Sequence, residues 1–370
     1  MADIEPALSK YFHKKGIVRG IPVSGTFELT RKCNFNCKMC YIHCCDTSKD
    51  NELTADQWIS IAEKARDMGM LFLLLTGGEP FIRPDFPEIY ERLQKLGFVI
   101  SINSNGSLID GEIFELLKKY PPCRINISLY GGSRETYENL CGNGQFDIVA
   151  ENIKKLKGVG ITVKINSVFN KYNVGDVDRI FDIARELDIA VRPASYMYPP
   201  VRAGGSTGCN GARLTPKEAA ACNIKCKKLM YSRESLEKQA GKMMKIDSSE
   251  CDDDNVEGSG VRCRAGRSSF WVTFDGKMTP CGMMPEPFLS LKDVPFDKAW
   301  EKIRQMTSEI RLPKECQSCK LKDICSVCAA MCYTETGSFG GKPEYICSMM
   351  EEIVNYSKAE FVKGGGENEG

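Results

Sequence analysis

The sequence predicts an α/β fold in which a partial (β/α)6 TIM-like barrel is followed by a small cysteine-rich domain. Three observations lead to this prediction. Apolar strand candidates alternate with amphipathic helix candidates through the first half of the 370-residue chain. This pattern is typical of a parallel sheet with helices outside it. The six strand-helix units are too few for a closed eight-fold barrel but suit an open one. Cysteines then crowd a strand-poor region that ends near residue 350.

The predicted strands are short apolar runs bounded by glycine, proline or polar residues. They cover residues 26–30, 71–75, 98–103, 124–129, 161–168 and 189–194. Ligands of parallel α/β folds gather at the carboxyl ends of the strands. The segments that directly follow these strands are therefore the place to look for a site.

The predicted helices show apolar residues at helical spacing. They cover residues 54–68, 84–96, 110–119, 147–157 and 174–187. Thr54 and Gln57 have the spacing of a capping box at the start of the first one. After a Pro- and Gly-rich loop, a further helix is predicted from Thr215 to about Lys238.

These elements divide the chain into four parts. We expect a partial barrel over 20–213, a linker with a helix and an acidic stretch over 214–258, a cysteine-rich domain over 259–350, and a helix end with a disordered polar tail over 351–370. The acidic stretch at 248–258 reads more simply as a solvated spacer than as a calcium site.

Composition narrows the class of partner. Fifty Lys and Arg nearly balance 49 Asp and Glu, and no basic stripe interleaved with aromatic residues is present. We therefore expect neither nucleic acid nor a membrane surface as the partner. No export signal and no run of 18 apolar residues occur, so we expect a cytoplasmic protein.

Cysteine is the residue that composition singles out. The chain has 19 cysteines and only two histidines. In a reducing compartment, clustered cysteines indicate metal ligands before disulfides. With so few histidines, an all-thiolate iron-sulfur protein is favoured over mixed zinc sites.

The segment RKCNFNCKMCY, after the first predicted strand, has the spacing C-x3-C-x2-C. Its three cysteines are Cys33, Cys37 and Cys40. Three thiolates hold three corners of a four-iron cluster and leave the fourth iron open for a substrate or cofactor. The missing fourth ligand is thus consistent with a catalytic rather than a closed structural site.

This motif, in the loop after the first strand, resembles the signature of the radical SAM superfamily. The resemblance implies that S-adenosylmethionine binds the open iron through its amino and carboxylate groups. It also implies that electron transfer from the reduced cluster releases a 5′-deoxyadenosyl radical, which abstracts hydrogen from the substrate.

Further segments that follow the predicted strands resemble the cofactor contacts of this superfamily. GGEP resembles the contact with the methionine amine, NSNG the segment near the ribose and carboxylate, and the serine of ISLYG a ribose contact. Tyr130 stands where many relatives carry aspartate. The implied cofactor contacts, with the neighbours of the third cysteine, are Met39, Tyr41, Gly77, Gly78, Glu79, Pro80, Asn103, Ser104, Asn105 and Ser128.

The C-terminal cysteines resemble a SPASM extension, the twitch-type domain that holds two auxiliary four-iron clusters. The resemblance implies that Cys316, Cys319, Cys325 and Cys347 hold one cluster. It implies that Cys263 and Cys281 hold the other, with ligands from Cys328 and Cys332. S-adenosylmethionine and three four-iron clusters are then the expected cofactors.

The C-terminal cysteine pattern differs from that of the family at the last ligand of the second auxiliary cluster. The usual position, 329, is alanine here, and Cys328 and Cys332 lie on either side of it. The sequence leaves open which of them ligates, and whether one iron stays open for a substrate thiolate. Cys251 is a candidate for an extra ligand. A zinc ribbon is the alternative for the C-x2-C pairs, and the seven other cysteines are expected to be incidental thiols.

Members of the SPASM group mostly oxidise or cross-link peptides, so we expect a ribosomal-peptide maturase that installs a thioether or another cross-link. The alternatives are a small-molecule dehydrogenase or cofactor-biosynthesis enzyme, oxidation of a protein as in sulfatase maturation, and a non-enzymatic iron-sulfur carrier. Sulfatase maturation is disfavoured, because Gly282 stands where those enzymes carry an acidic residue.

The candidate substrate contacts lie around the loop RPASYMYPPVRAGG. Arg192, Tyr196, Tyr198 and Arg202 offer stacking and carboxylate pairing there. Only about 25 residues precede the first strand, so we expect a peptide to be recognised by the barrel mouth, by the loop at 196–213 or by a separate leader-recognition protein. A flavodoxin- or ferredoxin-type reductant is the other expected partner, and the sequence does not identify a catalytic proton acceptor.

Overall fold

The computed structural model describes residues 7–42, 51–200, 211–246 and 260–362. One sheet runs through this part of the chain. Its strands are β1 (Ser24–Glu28), β2 (Phe72–Thr76), β3 (Val99–Ser104), β4 (Arg124–Ser128), β5 (Val163–Val168), β6 (Ala190–Ala194), β7 (Ser269–Val272), β8 (Lys277–Thr279) and β9 (Leu289–Ser290).

Helices connect and cover these strands. They are α1 (Ala7–Arg19), α2 (Ala55–Asp67), α3 (Phe86–Lys95), α4 (Gly111–Lys119), α5 (Arg134–Cys141), α6 (Phe146–Gly158), α7 (Val177–Glu186), α8 (Pro216–Met230), α9 (Arg233–Ile246), α10 (Phe296–Glu309), α11 (Ala329–Thr336) and α12 (Glu344–Phe361).

The first six strands form the parallel α/β unit that the sequence predicts. Each pairs in parallel with the next one in the chain, and the sheet order is β6-β5-β4-β3-β2-β1-β7-β8-β9. Residues at the ends of neighbouring strands are in register, as Glu28 is with Thr76 and Ser128 with Asn166. The carboxyl ends of these strands therefore meet at one rim, where the predicted site lies.

Apolar side chains from the sheet and the helices outside it form the core. In β2, Leu73 and Leu75 are buried while their neighbour Leu74 is less so, as expected for a strand. On α2, Trp58 is fully buried and its ring centroid lies 4.9 Å from that of Phe27 in β1. Truncating such a side chain costs about 3–5 kcal/mol.

The predicted capping box is confirmed. The backbone N–H of Gln57 donates to the Thr54 hydroxyl at 3.3 Å. The side-chain oxygen of Gln57 accepts from the backbone N–H of Thr54 at 2.9 Å. The helix begins at Ala55, one residue after the cap.

The described part of the C-terminal region contains only short strands, but these three strands were not predicted. β7 pairs in parallel with β1, and β8 and β9 continue the same sheet antiparallel. These strands have only two to four residues each, too few for a period to show in the sequence. Because of them, the cysteine-rich region shares one sheet with the predicted barrel.

Three further differences concern helices. The single helix predicted from Thr215 to Lys238 is two, because Tyr231 is extended and Ser232 starts α9 by accepting a hydrogen bond from the Ser235 amide at 3.3 Å. The polar eight-residue helix α5 and the N-terminal helix α1 were not predicted. The division into four parts stays a prediction, and its boundary at 350 falls inside α12.

In the ranges described, none of the helices combines the length and the apolar character needed to cross a bilayer. The acidic stretch at 248–258 and the polar tail from 363 lie outside the described residues.

Candidate active site

The three-cysteine loop (residues 29–42) leaves the sheet at the end of β1. The amides of Asn36 and Lys38 donate to the carbonyls of Cys141 and Leu140 at 2.9 Å each. These carbonyls end α5, so this helix holds the middle of the loop. Cys33, Cys37 and Cys40 are all half-buried and lie on one cavity.

The base of the loop is braced by a buried arginine. Arg83 donates to the carbonyl oxygen of Leu29 at 2.7 Å and to that of Leu53 at 3.1 Å. Its charge is paired with Asp85 at 2.7 Å. The start of the three-cysteine loop is thereby fixed by a side chain that follows β2.

The glycines after β2 pack directly on the three-cysteine loop. The amide of Gly78 donates to Thr30 and that of Glu79 to Lys32, both at 2.8 Å from the carbonyl oxygen. A Cβ on Gly78 would come within 2.4 Å of the Lys32 carbonyl oxygen. Glycine is needed here because the two backbones are in contact.

Glu79 lies beneath the cavity rather than on it. Its carboxylate is fully buried and accepts from the Ser104 hydroxyl at 2.9 Å and from the amides of Asn105 and Phe81 at 2.7 and 3.2 Å. Burial raises the pKa of Glu79 to about 7, although these three hydrogen bonds lower it. In this structure the carboxylate ties the segment after β2 to the one after β3, and its predicted contact with the methionine amine stays a prediction.

The segment after β3 contacts the first cysteine. The Asn105 side-chain amide donates to Asn34 at 2.9 Å and lies 3.8 Å from the sulfur of Cys33. Asn103 accepts from the Asn126 side chain at 2.7 Å. All three predicted residues of this segment, including Ser104, line the cavity.

The ends of β4 and β5 add a pair of polar side chains. Ser128 and Asn166 are register partners, and both line the cavity. The side-chain oxygen Oδ1 of Asn166 is buried without a hydrogen-bond partner among the described residues. A buried acceptor of this kind suits a ligand hydroxyl or amine. Asn166 was not predicted, because nothing in NSVFN marks one asparagine as special.

These segments enclose a cavity of about 410 Å³. Every predicted cofactor contact lines it except Glu79 and Pro80, which are buried behind it. Three of the four candidate substrate contacts also line it, namely Arg192, Tyr196 and Tyr198. Arg202, the fourth, lies outside the described residues, as does Cys251.

The cavity wall also includes the cysteine-rich region (residues 260–347). Met283, two residues after Cys281, lines the cavity. Gly276, which lies between Cys263 and Cys281 in the chain, has a φ of +89° and forms the turn between β7 and β8. That hairpin leads to Cys281 and then to Met283, which lines the cavity.

Four of the predicted ligand cysteines are electrostatic neighbours. The pKa of Cys316 is raised to about 11, first by burial and then by the neighbouring sulfurs of Cys347, Cys325 and Cys319. The same four were expected to share a cluster. Their role as ligands stays a prediction.

The second set is Cys263 and Cys281 with Cys328 and Cys332, the two cysteines between which the sequence could not choose. Burial raises the pKa of Tyr198 well above its usual range, and Cys328 and Cys281 raise it further. Cys328 also has Cys263 as an electrostatic neighbour. The thiol of Cys332 is buried, and its pKa is raised to about 12 by burial and then by Cys316 ahead of Cys328. Cys328 thus has Cys263 and Tyr198 as neighbours. Cys332 packs in the same cluster as Cys281 and Cys328 and also has Cys316 as a neighbour, so it lies between the two sets.

The candidate metal ligands of the three-cysteine loop and of the cysteine-rich region have the chemistry that iron-sulfur clusters need. Within the described ranges, no three His, Cys, Asp or Glu side chains converge to hold a single metal ion. All of the grouped donors are thiols, the ligands that iron-sulfur clusters take. Cys141 also lies beside Cys37, where its thiol raises the pKa of Cys37, and it was expected to be incidental.

Comparison with known proteins agrees with this site. Residues 27–184 match the model of the Radical SAM superfamily. The AdoMet-dependent heme synthase of Methanosarcina barkeri is 26% identical over 85% of this chain and 93% of its own. The Fe-coproporphyrin III synthase of the same organism is 33% identical over 48% of this chain and 44% of its own.

Solved structures share the fold over nearly the whole chain. Native anSMEcpe with bound AdoMet has a TM-score of 0.69 at 17% identity and covers 92% of this chain and 98% of its own. Streptococcus suis SuiB bound to precursor peptide SuiA has a TM-score of 0.65 at 19% identity and covers 94% and 83%.

Residues 27–184 therefore match a radical SAM domain. The whole chain, with its cysteine-rich C-terminal region, shares the fold of these solved structures. The family match supports binding of S-adenosylmethionine and of one iron-sulfur cluster at the radical SAM motif.

Proposed function

We propose that this radical SAM enzyme oxidatively modifies a ribosomally made peptide, installing a thioether or another cross-link. One observation carries the proposal. The cavity that holds Cys33, Cys37 and Cys40 is also lined by Tyr198 and Met283, next to the second group of cysteines. A substrate in this cavity lies between two sets of thiols. An oxidation that begins with hydrogen abstraction at the first set requires an electron acceptor, and a cluster held by the second set would be one.

The three-cysteine loop holds the first cluster in this proposal. When bound, the cluster and S-adenosylmethionine supply the 5′-deoxyadenosyl radical that the family resemblance implies. The glycines at 77 and 78 keep the backbone close to the loop and leave room for the cofactor. Asn103, Ser128 and Asn166 offer polar groups to its ribose and amino acid parts.

The cysteine-rich region holds two auxiliary clusters in this proposal. Cys316, Cys319, Cys325 and Cys347 are the ligands of one. Cys263, Cys281 and Cys328 are ligands of the other, which leaves a fourth position for Cys332, Cys251 or a substrate thiolate. The electrostatic neighbours of Cys316 and Tyr198 support this grouping.

Arg192 is the proposed substrate anchor. Of the described residues that line the cavity, it has the one cationic side chain, and it is exposed. The same cavity is lined by Tyr196, Tyr198, Met197 and Met283. An arginine beside aromatic and thioether side chains suits a carboxylate on a largely apolar segment.

Sulfatase-type oxidation remains the weaker alternative for a reason visible in the structure. Those enzymes carry an acidic residue where this chain has Gly282. A Cβ there would come within 2.8 Å of the Trp271 ring. An acidic side chain would therefore require this indole, which donates to the buried Glu28 at 2.9 Å, to move.

A small-molecule oxidation is the second candidate. The observation that favours it is the full-length similarity to an AdoMet-dependent heme synthase. A molecule bearing carboxylates would use Arg192 in the same way. A separate leader-recognition protein is needed only in the peptide case, whereas a flavodoxin- or ferredoxin-type reductant serves both.

Anaerobic turnover separates the two candidates. The reconstituted enzyme is given S-adenosylmethionine, a reductant and either the peptide encoded by a neighbouring short gene or Fe-coproporphyrin III, and the products are analysed by mass spectrometry. The proposal predicts a peptide that has lost two hydrogens and an unchanged porphyrin. A changed porphyrin with an unchanged peptide would favour the second candidate.

A further inference from the structure

Tyr198 connects the cavity to the second group of cysteines. Its ring lines the cavity, and its hydroxyl lies 3.9 Å from the sulfur of Cys328, within reach of an O–H···S hydrogen bond. Tyr198 follows β6, whereas Cys328 directly precedes α11. The contact joins parts of the chain that are 130 residues apart.

Packing holds the Tyr198 ring in place. The ring stands edge-on against Tyr196, with centroids 4.8 Å apart and planes at 71°. Tyr196 in turn donates to Glu335 at 2.7 Å, and Glu335 pairs with the half-buried Arg213. Glu335 belongs to α11, the helix that Cys328 precedes. The Tyr196 ring, which packs edge-on against Tyr198, is thus the contact that holds the Tyr198 ring.

The direction of this hydrogen bond follows from the chemistry of ligation. A cysteine that ligates iron is a thiolate and has no proton to donate. The tyrosine hydroxyl must then be the donor. Hydrogen bonds to cluster sulfurs set the reduction potential of iron-sulfur clusters. A donor favours the reduced state, because that state has the larger negative charge.

We infer that Tyr198 is a positioning residue that donates to the Cys328 sulfur and makes the cluster bound there easier to reduce. The inference rests on the proposed function, since it requires an auxiliary cluster with Cys328 as a ligand. It also predicts that Cys328 is a ligand, because the Tyr198 hydroxyl contacts its sulfur.

The test is a potentiometric titration of the reconstituted full chain, followed by electron paramagnetic resonance. Tyr198→Phe removes the hydroxyl and keeps the ring. The hydrogen bond is stronger in the reduced state, and we expect its loss to change the ratio of reduced to oxidised cluster about tenfold, which is about 1.4 kcal/mol. We expect one auxiliary cluster to shift about tenfold toward the oxidised state, or about 59 mV lower for one electron, at unchanged iron content.

Tyr196→Phe is the matched control. It also removes a hydroxyl from the cavity wall, but one that donates to Glu335. Its auxiliary potentials should equal those of the wild type. If Tyr198→Phe does not fold, Tyr198→Met fills the same space without a hydroxyl and should give the same shift.

An unchanged potential in Tyr198→Phe, or an equal shift in Tyr196→Phe, overturns the inference. Absence of the proposed auxiliary cluster looks different, because no auxiliary cluster signal would then appear even in the wild type. Cys328→Ser completes the test. The inference requires this variant to perturb the cluster whose potential depends on Tyr198, and an unperturbed cluster overturns it.

Discussion

Replacing Gly78 by alanine tests how the site is assembled. The added Cβ would lie 2.4 Å from the carbonyl oxygen of Lys32 and 2.6 Å from that of Arg31. Real Cβ atoms do not come this close to backbone, so the segment after β2 must move away from the three-cysteine loop. The movement would break the hydrogen bonds from Gly78 to Thr30 and from Glu79 to Lys32.

The size of the effect follows from these contacts. Overpacking costs about 1–3 kcal/mol, and each lost backbone hydrogen bond costs about 1 kcal/mol. We therefore expect a loss of about 3–5 kcal/mol in the free energy of unfolding. The shift also displaces the backbone next to Cys33, so iron bound at the three-cysteine loop should fall with it.

The assay measures iron content and 5′-deoxyadenosine formation after anaerobic reconstitution, with the unfolding transition measured in parallel. Gly111→Ala is the control, since a Cβ at Gly111 meets no atom within 4 Å. It should behave as the wild type in all three measurements. The contrary result is that Gly78→Ala binds as much iron as the wild type and forms 5′-deoxyadenosine at the same rate. In that case the close contact between the segment after β2 and the three-cysteine loop is not needed for iron binding.

Three further predictions concern single side chains. Cys33→Ala should abolish 5′-deoxyadenosine formation while the auxiliary iron remains, and full activity would refute its role as a ligand. Arg192→Gln should raise the KM for the substrate at least tenfold with little change in kcat, and a change in kcat alone would contradict its role as an anchor. The pKa of Glu79, raised by burial to about 7, means that the folded state holds this proton more tightly than the unfolded state. Stability should therefore fall by about 3 kcal/mol as the pH rises from about 4.5 to 7. Glu79→Gln should lack this slope in urea unfolding, and an equal slope would disprove the assignment.

The six parallel strands could be predicted because buried strands are continuous apolar runs. The helices between them have apolar residues at clear helical spacing. The sequence could not predict β7, β8 and β9, which are too short to have a pattern. They form because β1 offers a partner strand, which is a tertiary effect. Likewise, α5 is polar and short, and its role in holding the three-cysteine loop depends on contacts far apart in the chain.

The candidate site was predictable where a motif fixed the spacing, as for Cys33, Cys37 and Cys40. The sequence did not show that the Glu79 carboxylate would accept hydrogen bonds from the Ser104 hydroxyl and from backbone amides. It also could not separate Cys328 from Cys332, which are four residues apart at the start of one helix. Only the fold places Tyr198 next to Cys328.

The central claim is that this chain is a radical SAM enzyme whose substrate is oxidised between two groups of thiols. The most direct measurement quantifies 5′-deoxyadenosine and oxidised peptide together, in anaerobic turnover by fully iron-loaded protein. We predict that each equivalent of 5′-deoxyadenosine accompanies one peptide that has lost two hydrogens. Absence of 5′-deoxyadenosine from such protein, or its formation with a peptide that keeps all of its hydrogens, would contradict the account.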